Sequence, residues 1–315
     1  MKKWKRKTQN VVLVLCNISF LIFLPVTSVR AEKMIPEKFL VSFNTKKSTC
    51  ILRVNDLPAI DSTRARLGTM SAGYNTTAFL ENGKNKIELL MGPQDHEDPL
   101  TLYSDSSCTT IISKDTKNSS KTIATYKLNV DKEGNITAKD SFVDDGEKSD
   151  ERVFEGYTKN ENDYGLYKLE STFYVTGLPR WKWVDATPVT DQDLPKIKKA
   201  YEDIWMMMKN HDIEKLKAVT QISNEETAYA EGTTLGMMFV STNFPSRVLD
   251  DKLTPLPIDW NRYELIKYRD GRLFRMSVGF IQNSPLKFQD AEGNVVFTYN
   301  PYFSIINGKV VLVRG

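Results

Sequence analysis

The sequence feature that most constrains the fold is a series of short apolar segments between Lys38 and Val175, each bounded by turn residues. Within several of these segments apolar and polar residues alternate, and this period of two is typical of a half-buried β-strand. Tight-turn signals separate the segments at ENGKNK (81–86) and DKEGN (131–135). Many short strands at this spacing predict an antiparallel β-sandwich or jelly-roll domain.

An acidic, turn-rich stretch from Val143 to Asp163 interrupts this pattern. Its first residues, VDDGEKSDE, are mostly charged or turn-forming. We expect an exposed loop or irregular excursion there, before the last strand-like segment of the domain, GLYKLESTFYV.

Beyond residue 183 the apolar residues recur at the three- and four-residue steps of amphipathic helices. Asp191 or Asp193 can cap a first helix, and Asp212 can cap a short second one. Ser223–Glu226 reads as a capping box and predicts a third helix that runs to about Asn243. The apolar stripe of the first helix consists of Leu194, Ile197, Tyr201, Ile204, Trp205 and Met208.

The C-terminal segments return to the strand pattern. RYELIKY and RLFRMSVGFIQ flank Asp270–Gly271 and predict a hairpin, and Asn307–Gly308 predicts a later turn. Helices followed by a curved antiparallel sheet indicate an α+β domain with the helices packed on one face of the sheet. The predicted class is therefore α+β, with a signal peptide (1–31), a β-sandwich-like domain (32–183) and an α+β cone-like domain (184–315).

The first 31 residues have the pattern of a secretory signal peptide. Five basic residues precede an apolar core of 16 residues, Val11–Val26, and Val29 and Ala31 occupy positions −3 and −1 of a cut after Ala31. The alternative is an uncleaved membrane anchor, but a spanning helix needs about 20 apolar residues. We therefore expect cleavage, export to the periplasm and a mature chain without a transmembrane segment.

The leader also accounts for the basic character of the whole chain. The sequence has 43 basic and 40 acidic residues, a formal net charge of +3. Six of the basic residues and none of the acidic ones lie in the leader, so the net charge of the mature chain is −3. A basic surface is the usual footprint of nucleic-acid binding, and we therefore expect no nucleic-acid partner.

Two cysteines, Cys50 and Cys108, remain once the leader and its Cys16 are removed. Both lie in strand-like segments, STCILRV and SSCTTIIS. An exported chain with an even number of cysteines can form disulfides, so we predict a bond between the two. The alternative is a pair of buried free thiols.

The sequence offers little that would support catalysis. His96 and His211 have no partner at a metal-binding spacing, and we interpret them as a polar-loop residue and a cation at a helix C-terminus. Neither a nucleophile elbow nor a glycine-rich phosphate loop occurs in the chain. We expect no catalytic residues, no metal and no cofactor. If the cone-like domain were catalytic, its candidate residues would be Asp259, Tyr263, Glu264 and Tyr299.

Several residues are candidates for contact with a partner. Trp181 and Trp183 are two apart, so on an extended segment they point the same way and can form an aromatic platform. The alternative is that they pack the two predicted domains together. Residues 242–260 form a long, charged, proline-bearing connection of the kind that often carries recognition. The candidate partner-binding residues are Trp181, Trp183, Met207, Phe244, Arg247, Asp250 and Asp251.

Two segments of the first domain, LRVNDLPAIDS and FLENGKNKIELLMGP, resemble the β-sandwich segment of exported immunity-type proteins of interbacterial toxin systems of the type VI secretion class. The residues that carry the likeness are Val54–Asn55–Asp56, Asn82–Gly83–Lys84–Asn85 and Ile87. The resemblance implies a periplasmic protein that binds and neutralises a cognate toxin effector. The order of elements over residues 190–315 resembles the nuclear-transport-factor-like cone, a fold that hosts both enzymes and binding domains.

These observations favour a non-catalytic periplasmic protein that binds a protein partner, with an immunity protein as the specific hypothesis. A second hypothesis is an envelope accessory or carbohydrate-binding protein built on the sandwich domain. A third is a hydrolase or isomerase that uses the cone-like domain. The oligomeric state is not readable from the sequence.

Overall fold

Two antiparallel sheets form the first half of the chain in the computed structural model, which describes residues 37–95, 97–143 and 152–315. The predicted leader, residues 1–31, lies outside the described residues. The strands of this half are β1 (Glu37–Lys46), β2 (Thr49–Val54), β3 (Leu57–Asp61), β4 (Met70–Asn75), β5 (Gly83–Gly92), β6 (Ser107–Thr116), β7 (Ser120–Val130), β8 (Ile136–Thr137), β9 (Phe142–Val143), β10 (Arg152–Tyr157) and β11 (Tyr167–Val175).

The two sheets share one apolar core, as expected of a sandwich. One sheet has the order β4-β1-β6-β7-β8, with β9 also paired to β7, and the other has the order β10-β11-β5-β2-β3. Along β1 every second residue is buried, because successive side chains of a strand point to opposite faces. Phe43, Leu52, Leu89 and Leu128 come from both sheets and are fully buried in this core.

The predicted disulfide between Cys50 and Cys108 is present and joins the two sheets of the sandwich. Cys50 lies on β2 and Cys108 on β6, with their Cα atoms 6.0 Å apart. Both residues are fully buried in the sandwich core. The bond closes a loop across 58 positions of the sequence.

The stretch from 143 to 163 contains more regular structure than the sequence predicts. β10 pairs with β11 at the edge of its sheet, through a register shift between Arg152 and Phe154. The acidic run 144–151 lies outside the described residues. The expectation of an irregular excursion is therefore wrong for Arg152–Tyr157, because Val153, Phe154 and Tyr157 favour a strand and the segment pairs with β11.

Five helices follow in the described part of the chain, and two of the predicted ones are confirmed. The first begins after a turn in which the Thr190 backbone N–H donates to the Asp193 carboxylate at 3.0 Å. The Asp212 carboxylate caps the second helix by accepting from the Lys215 N–H at 3.1 Å. The helices are α1 (Leu194–Lys209), α2 (Ile213–Val219), α3 (Gln221–Glu231), α4 (Leu235–Ser241) and α5 (Phe244–Val248).

The third predicted helix is divided into α3 and α4. Gly232 ends α3 with φ +63°, a left-handed conformation that a helix does not continue through. The predicted capping box at Ser223–Glu226 is also wrong. Ser223 lies inside α3, which already begins at Gln221, and its side chain is buried.

The remaining strands form two small antiparallel sheets where the sequence predicts one curved sheet. The orders are β12-β15-β16 and β13-β14-β17-β18. Gly279 and Gln282 have φ values of +74° and +50°, and this turn carries the chain away from the second sheet after β14. The strands are β12 (Thr254–Pro255), β13 (Glu264–Tyr268), β14 (Leu273–Ser277), β15 (Leu286–Gln289), β16 (Val295–Tyr299), β17 (Tyr302–Ile306) and β18 (Lys309–Arg314).

Helix α1 packs its apolar stripe on these sheets. Ile197, Tyr201 and Ile204 are buried in a core shared with Phe274 of β14 and Phe303 of β17. The Tyr201 hydroxyl accepts a hydrogen bond from the Met276 N–H at 3.1 Å, so the helix is fixed to the edge of a strand. The described chain thus has the predicted α+β class, with helices against antiparallel sheet.

The sandwich and the helical part meet inside one compact unit that contains all the described residues. Leu57 and Ala78 of the sandwich half share a buried cluster with Tyr268 and Leu273 of the β13–β14 hairpin. The predicted division near residue 183 stays a prediction. Among the described residues, no helix is both long enough and apolar enough to span a membrane.

Candidate functional site

Trp181 and Trp183 do not form an exposed platform. Their side chains are 2% and 0% exposed. The indole N–H of Trp181 donates to the Leu80 carbonyl at 2.9 Å, and that of Trp183 donates to the Ala78 carbonyl at 3.3 Å. Both indoles therefore pack the connecting segment against the sandwich, in agreement with the packing alternative, and their contact with a partner stays a prediction.

Phe244 is buried as well and cannot contact a partner directly. Its ring stacks on Tyr299, with centroids 4.0 Å apart, and lies 6.2 Å from Phe297. Met207 is only partly exposed and packs against the core beneath α1. Met207 and Phe244, two of the candidate partner-binding residues, thus mainly fill the core.

Three candidates in the last turn of α5 and in the connection after it do reach the surface. Arg247 and Asp250 are half-buried, and Asp251 is exposed. Asp250 accepts a hydrogen bond from the Lys252 N–H at 3.0 Å, as expected in a turn. The Nε atom of Arg247 is buried and has no hydrogen-bond partner among the described residues.

Of the two histidines considered in the sequence, the structure describes only His211. His96 lies outside the described residues. His211 follows α1 with φ +53°, and its Nδ1 hydrogen-bonds the carbonyl of Val248 at the end of α5. Within the described part of the chain, no group of His, Cys, Asp and Glu side chains is arranged to hold a metal ion.

The four candidate catalytic residues lie at ordinary structural positions. Asp259 accepts from the Asn261 N–H at 3.1 Å and caps a short turn. Glu264 is exposed at the start of β13, and Tyr263 is half-buried beside it. Tyr299 is buried, and this burial raises the pKa of its hydroxyl above the ordinary value.

The asparagines that carry the family resemblance fix backbone turns. Asn55 and Asn85 are fully buried, and the Asn55 amide donates to the Asn85 side-chain oxygen at 2.9 Å. Asn82 donates to the Leu178 carbonyl at 2.7 Å and accepts from the Leu178 N–H at 2.9 Å. These side chains satisfy buried backbone groups, so their presence is explained by the fold.

Four adjoining cavities between the sandwich and the β13–β14 hairpin together form a concave surface, which we call the junction cleft. Their volumes are about 260, 570, 400 and 420 Å³. The rings of Tyr164 and Phe280 line three of the four and lie 4.6 Å apart at an interplanar angle of 57°. One ring comes from the loop before β11 and the other from the loop after β14.

Tyr164 is positioned by a short turn over Glu161–Asp163. The Asn160 side chain caps this turn by accepting from the Asn162 N–H at 3.1 Å. Tyr164 follows in the left-handed region with φ +53°, and it is 44% exposed. A non-glycine residue in that conformation costs roughly 1 kcal/mol, so its ring is held in the cleft at a local expense of stability.

Asp163 anchors this turn to the sandwich. It is fully buried and accepts hydrogen bonds from Thr158 at 2.6 Å and from Arg53 at 2.8 Å. Lys168 lies 3.1 Å from its second oxygen. Burial opposes ionisation of Asp163, but these hydrogen bonds outweigh it and hold the pKa of the carboxyl below its usual value.

The charged side chains on one wall of the junction cleft largely neutralise one another. Lys168 contacts Glu88 and Glu170, each at 3.3 Å, and Arg53 lies 3.7 Å from Glu88. Burial works against the charged form of Lys168, but Glu88 and Asp163 outweigh it and raise the pKa of the ammonium group. The side chains of this wall, three basic and four acidic, are Arg53, Lys86, Lys168, Asp56, Glu88, Asp163 and Glu170.

An apolar compartment lies on the other side of the aromatic pair. Ile51, Leu90 and Leu166 are buried in a small cluster on the outer face of the second sandwich sheet. Phe280 packs against this cluster and covers part of it. The junction cleft therefore offers an aromatic centre between an apolar compartment and a self-paired ionic wall, an arrangement suited to binding by shape.

The sequence prediction missed this cleft because its walls come from residues 49–63, 86–95, 160–170 and 262–302, which are far apart in the chain. The one local signal was Tyr164–Gly165, a turn with an aromatic residue in an acidic loop. A comparison of the chain with models of protein families, with curated proteins and with solved structures gave no match.

Proposed function

We propose that this protein acts outside the cytoplasm as a non-catalytic binding protein, and that a protein partner docks at the Tyr164–Phe280 pair of the junction cleft. The partner that the sequence resemblance implies is a toxin effector, which the protein would neutralise by occupying a surface of it. The observation that carries the proposal is the aromatic pair, partly exposed in the junction cleft, where it lines three of the four cavities.

The pair has the properties of an interface anchor. Tyrosine is enriched among residues that dominate binding energy, because it buries a large rigid surface at a small entropic cost. Tyr164 is also held in a left-handed backbone conformation although glycine would fit there without strain. Such a residue is expected where the side chain has a use that outweighs the local cost.

The disulfide supports the compartment. Bonds of this kind persist in oxidising compartments such as the bacterial periplasm and are rare in the cytosol. Cys50 and Cys108 are buried in the sandwich core, where a reversible redox role has no access. A structural disulfide is in keeping with the secretory pattern of the first 31 residues.

The partner test compares three forms of the tagged, exported protein: wild type, the double variant Tyr164→Ala/Phe280→Ala and the control Tyr103→Ala. Tyr103 is 41% exposed, close to the 44% of Tyr164, but it does not line the junction cleft. Each form is used to capture proteins from envelope extracts. We expect one protein to be retained by wild type and by the control, and its recovery to fall at least tenfold with the double variant.

The second stage asks what the captured protein does. It is directed to the periplasm of sensitive cells, alone and with each of the three forms. If it is a toxin, wild type and Tyr103→Ala restore growth and the double variant does not. Equal capture by all three forms would refute the docking site, whereas specific capture of a harmless protein would refute only the toxin assignment.

A further inference from the structure

Arg275, on β14, is buried without an acidic partner. Its side chain is 4% exposed. Among residues 37–95, 97–143 and 152–315, no carboxylate forms an ion pair with its guanidinium group. Removing a charge from water costs free energy unless other groups compensate for it. The contacts of the Arg275 guanidinium group show how far its charge is compensated.

Three backbone carbonyls hold the guanidinium group. Its Nε donates to the Pro301 oxygen at 3.3 Å, Nη1 to the Gln282 oxygen at 3.0 Å and Nη2 to the Asn300 oxygen at 3.0 Å. A guanidinium group has five N–H donors. The Tyr302 hydroxyl shares a side-chain hydrogen bond with the same group, so one N–H remains for a further acceptor.

The group also borders a partly open cavity. Arg275 lines the 260 Å³ cavity of the junction cleft, together with Gln282, Asn300 and Tyr302. Its guanidinium carbon lies 3.8 Å from the centroid of the Tyr302 ring, which supports a cation but provides no counter-charge. Carbonyl dipoles and a ring face offset only part of the desolvation of a buried cation.

We propose that this cavity binds a carboxylate group, held by the guanidinium group of Arg275. A hydrogen bond from a guanidinium group to a carboxylate is charge-assisted, and such bonds are among the stronger hydrogen bonds in proteins. This site goes beyond the proposed protein docking, because a free carboxylate would bind at Arg275 in the protein alone.

The opposite wall limits the charge of the ligand. Asp61, at the end of β3, lines the same cavity and is held by the Thr63 N–H at 3.0 Å. Its carboxylate disfavours ligands with several negative charges, so a single carboxylate fits better than a polyphosphate. The carboxylate can come from a small free acid or from the C-terminus of a peptide.

The test measures binding of propionate and of its neutral isostere propionamide by NMR titration of the mature protein. We expect propionate to bind at least tenfold more tightly, since only the acid forms charge-assisted hydrogen bonds. Arg275→Lys should weaken propionate binding about tenfold, because an ammonium group cannot keep the three carbonyl contacts that orient the guanidinium group. Arg66→Lys, at an exposed arginine outside the cavity, should leave the affinity unchanged.

A second variant keeps the test decisive if Arg275→Lys fails to fold. Asp61→Asn removes a like charge from the cavity wall and should tighten propionate binding about threefold. Equal binding of acid and amide, or unchanged affinity in a folded Arg275→Lys protein, would overturn the proposal.

The source of the carboxylate is distinguished with a short acetylated peptide and its C-terminally amidated form. If the free-acid peptide binds more tightly than propionate and amidation abolishes its binding, the site takes a chain terminus. If propionate binds as tightly as the peptide or more so, the site takes a small free acid. In both cases binding must depend on Arg275, and binding of the amidated peptide equal to that of the free acid would contradict the proposal.

Discussion

Arg314 and Glu226 form an ion pair that ties the last strand to α3, with Nη1 of the arginine 2.6 Å from Oε2 of the glutamate. Arg314 is fully buried and donates also to the Ala78 carbonyl at 2.7 and 2.9 Å. Burial lowers the pKa of the Arg314 guanidinium, and the neighbouring Glu226 works in the opposite direction. One side chain thus connects the C-terminal strand, a helix and the sandwich half of the chain.

Removing the acidic partner should be strongly destabilising. In Glu226→Gln the Arg314 cation stays buried without its counter-charge, and we expect a loss of about 3 kcal/mol in the free energy of unfolding. Urea denaturation at neutral pH measures the change. The control is Asp185→Asn, which breaks an exposed pair with Arg180 and should leave the midpoint nearly unchanged. Similar effects of the two substitutions would show that the buried pair has no special weight.

The disulfide should contribute a comparable amount. In the chain-entropy treatment, closing a loop of 58 positions stabilises the fold by roughly 4 kcal/mol. We expect Cys50→Ala/Cys108→Ala to lose about this much in urea denaturation. Dithiothreitol should lower the stability of the wild-type protein toward that of the double variant and leave the variant unchanged. An equal response of both proteins to the reductant would contradict this account.

Local patterns predicted much of the fold. The alternation in the first half predicted a sandwich, and the spacing of Ile197, Tyr201 and Ile204 predicted the buried face of α1. The predicted export and the even number of cysteines after the leader were sufficient to predict the Cys50–Cys108 bond. These predictions hold because strand period, helix period and disulfide chemistry depend on few residues at known separations.

The site residues were predicted less well, because exposure depends on contacts between distant parts of the chain. The spacing of Trp181 and Trp183 indicated which way the rings point, but not that Leu80 and Ala78 lie beneath them. Phe280 gave no signal of its own, since its meeting with Tyr164 depends on how two loops 116 positions apart are placed. A single sequence holds no direct record of such pairings.

The stability of the cleft wall should depend on pH through Asp163. Because the folded protein holds the pKa of this carboxyl below the usual 3.8, the ionised form stabilises the fold above that pH. As the pH falls through the lowered pKa, the contribution is lost. We expect Asp163→Asn to be less stable than wild type at pH 7 and the difference to narrow below pH 3.8. Urea denaturation of both proteins across this range measures the narrowing, and a constant difference would contradict the assignment. High salt should change this difference in the free energy of unfolding little, since Asp163 and its contacts with Arg53 and Lys168 are buried.

The backbone of Tyr164 offers a way to separate stability from binding. Tyr164→Ala and Tyr164→Gly both remove the aromatic ring, but only glycine adopts φ +53° without strain. We expect the glycine variant to be more stable than the alanine variant by about 1 kcal/mol in urea denaturation, while both lose partner capture to the same extent. Phe280→Ala, which leaves the strained residue in place, should lose capture without this gain. If Tyr164→Gly retained capture, the ring would not be the anchor. If Tyr164→Gly were no more stable than Tyr164→Ala, the left-handed conformation would carry no cost. Backbone strain would then give no reason to infer that the ring is kept for binding.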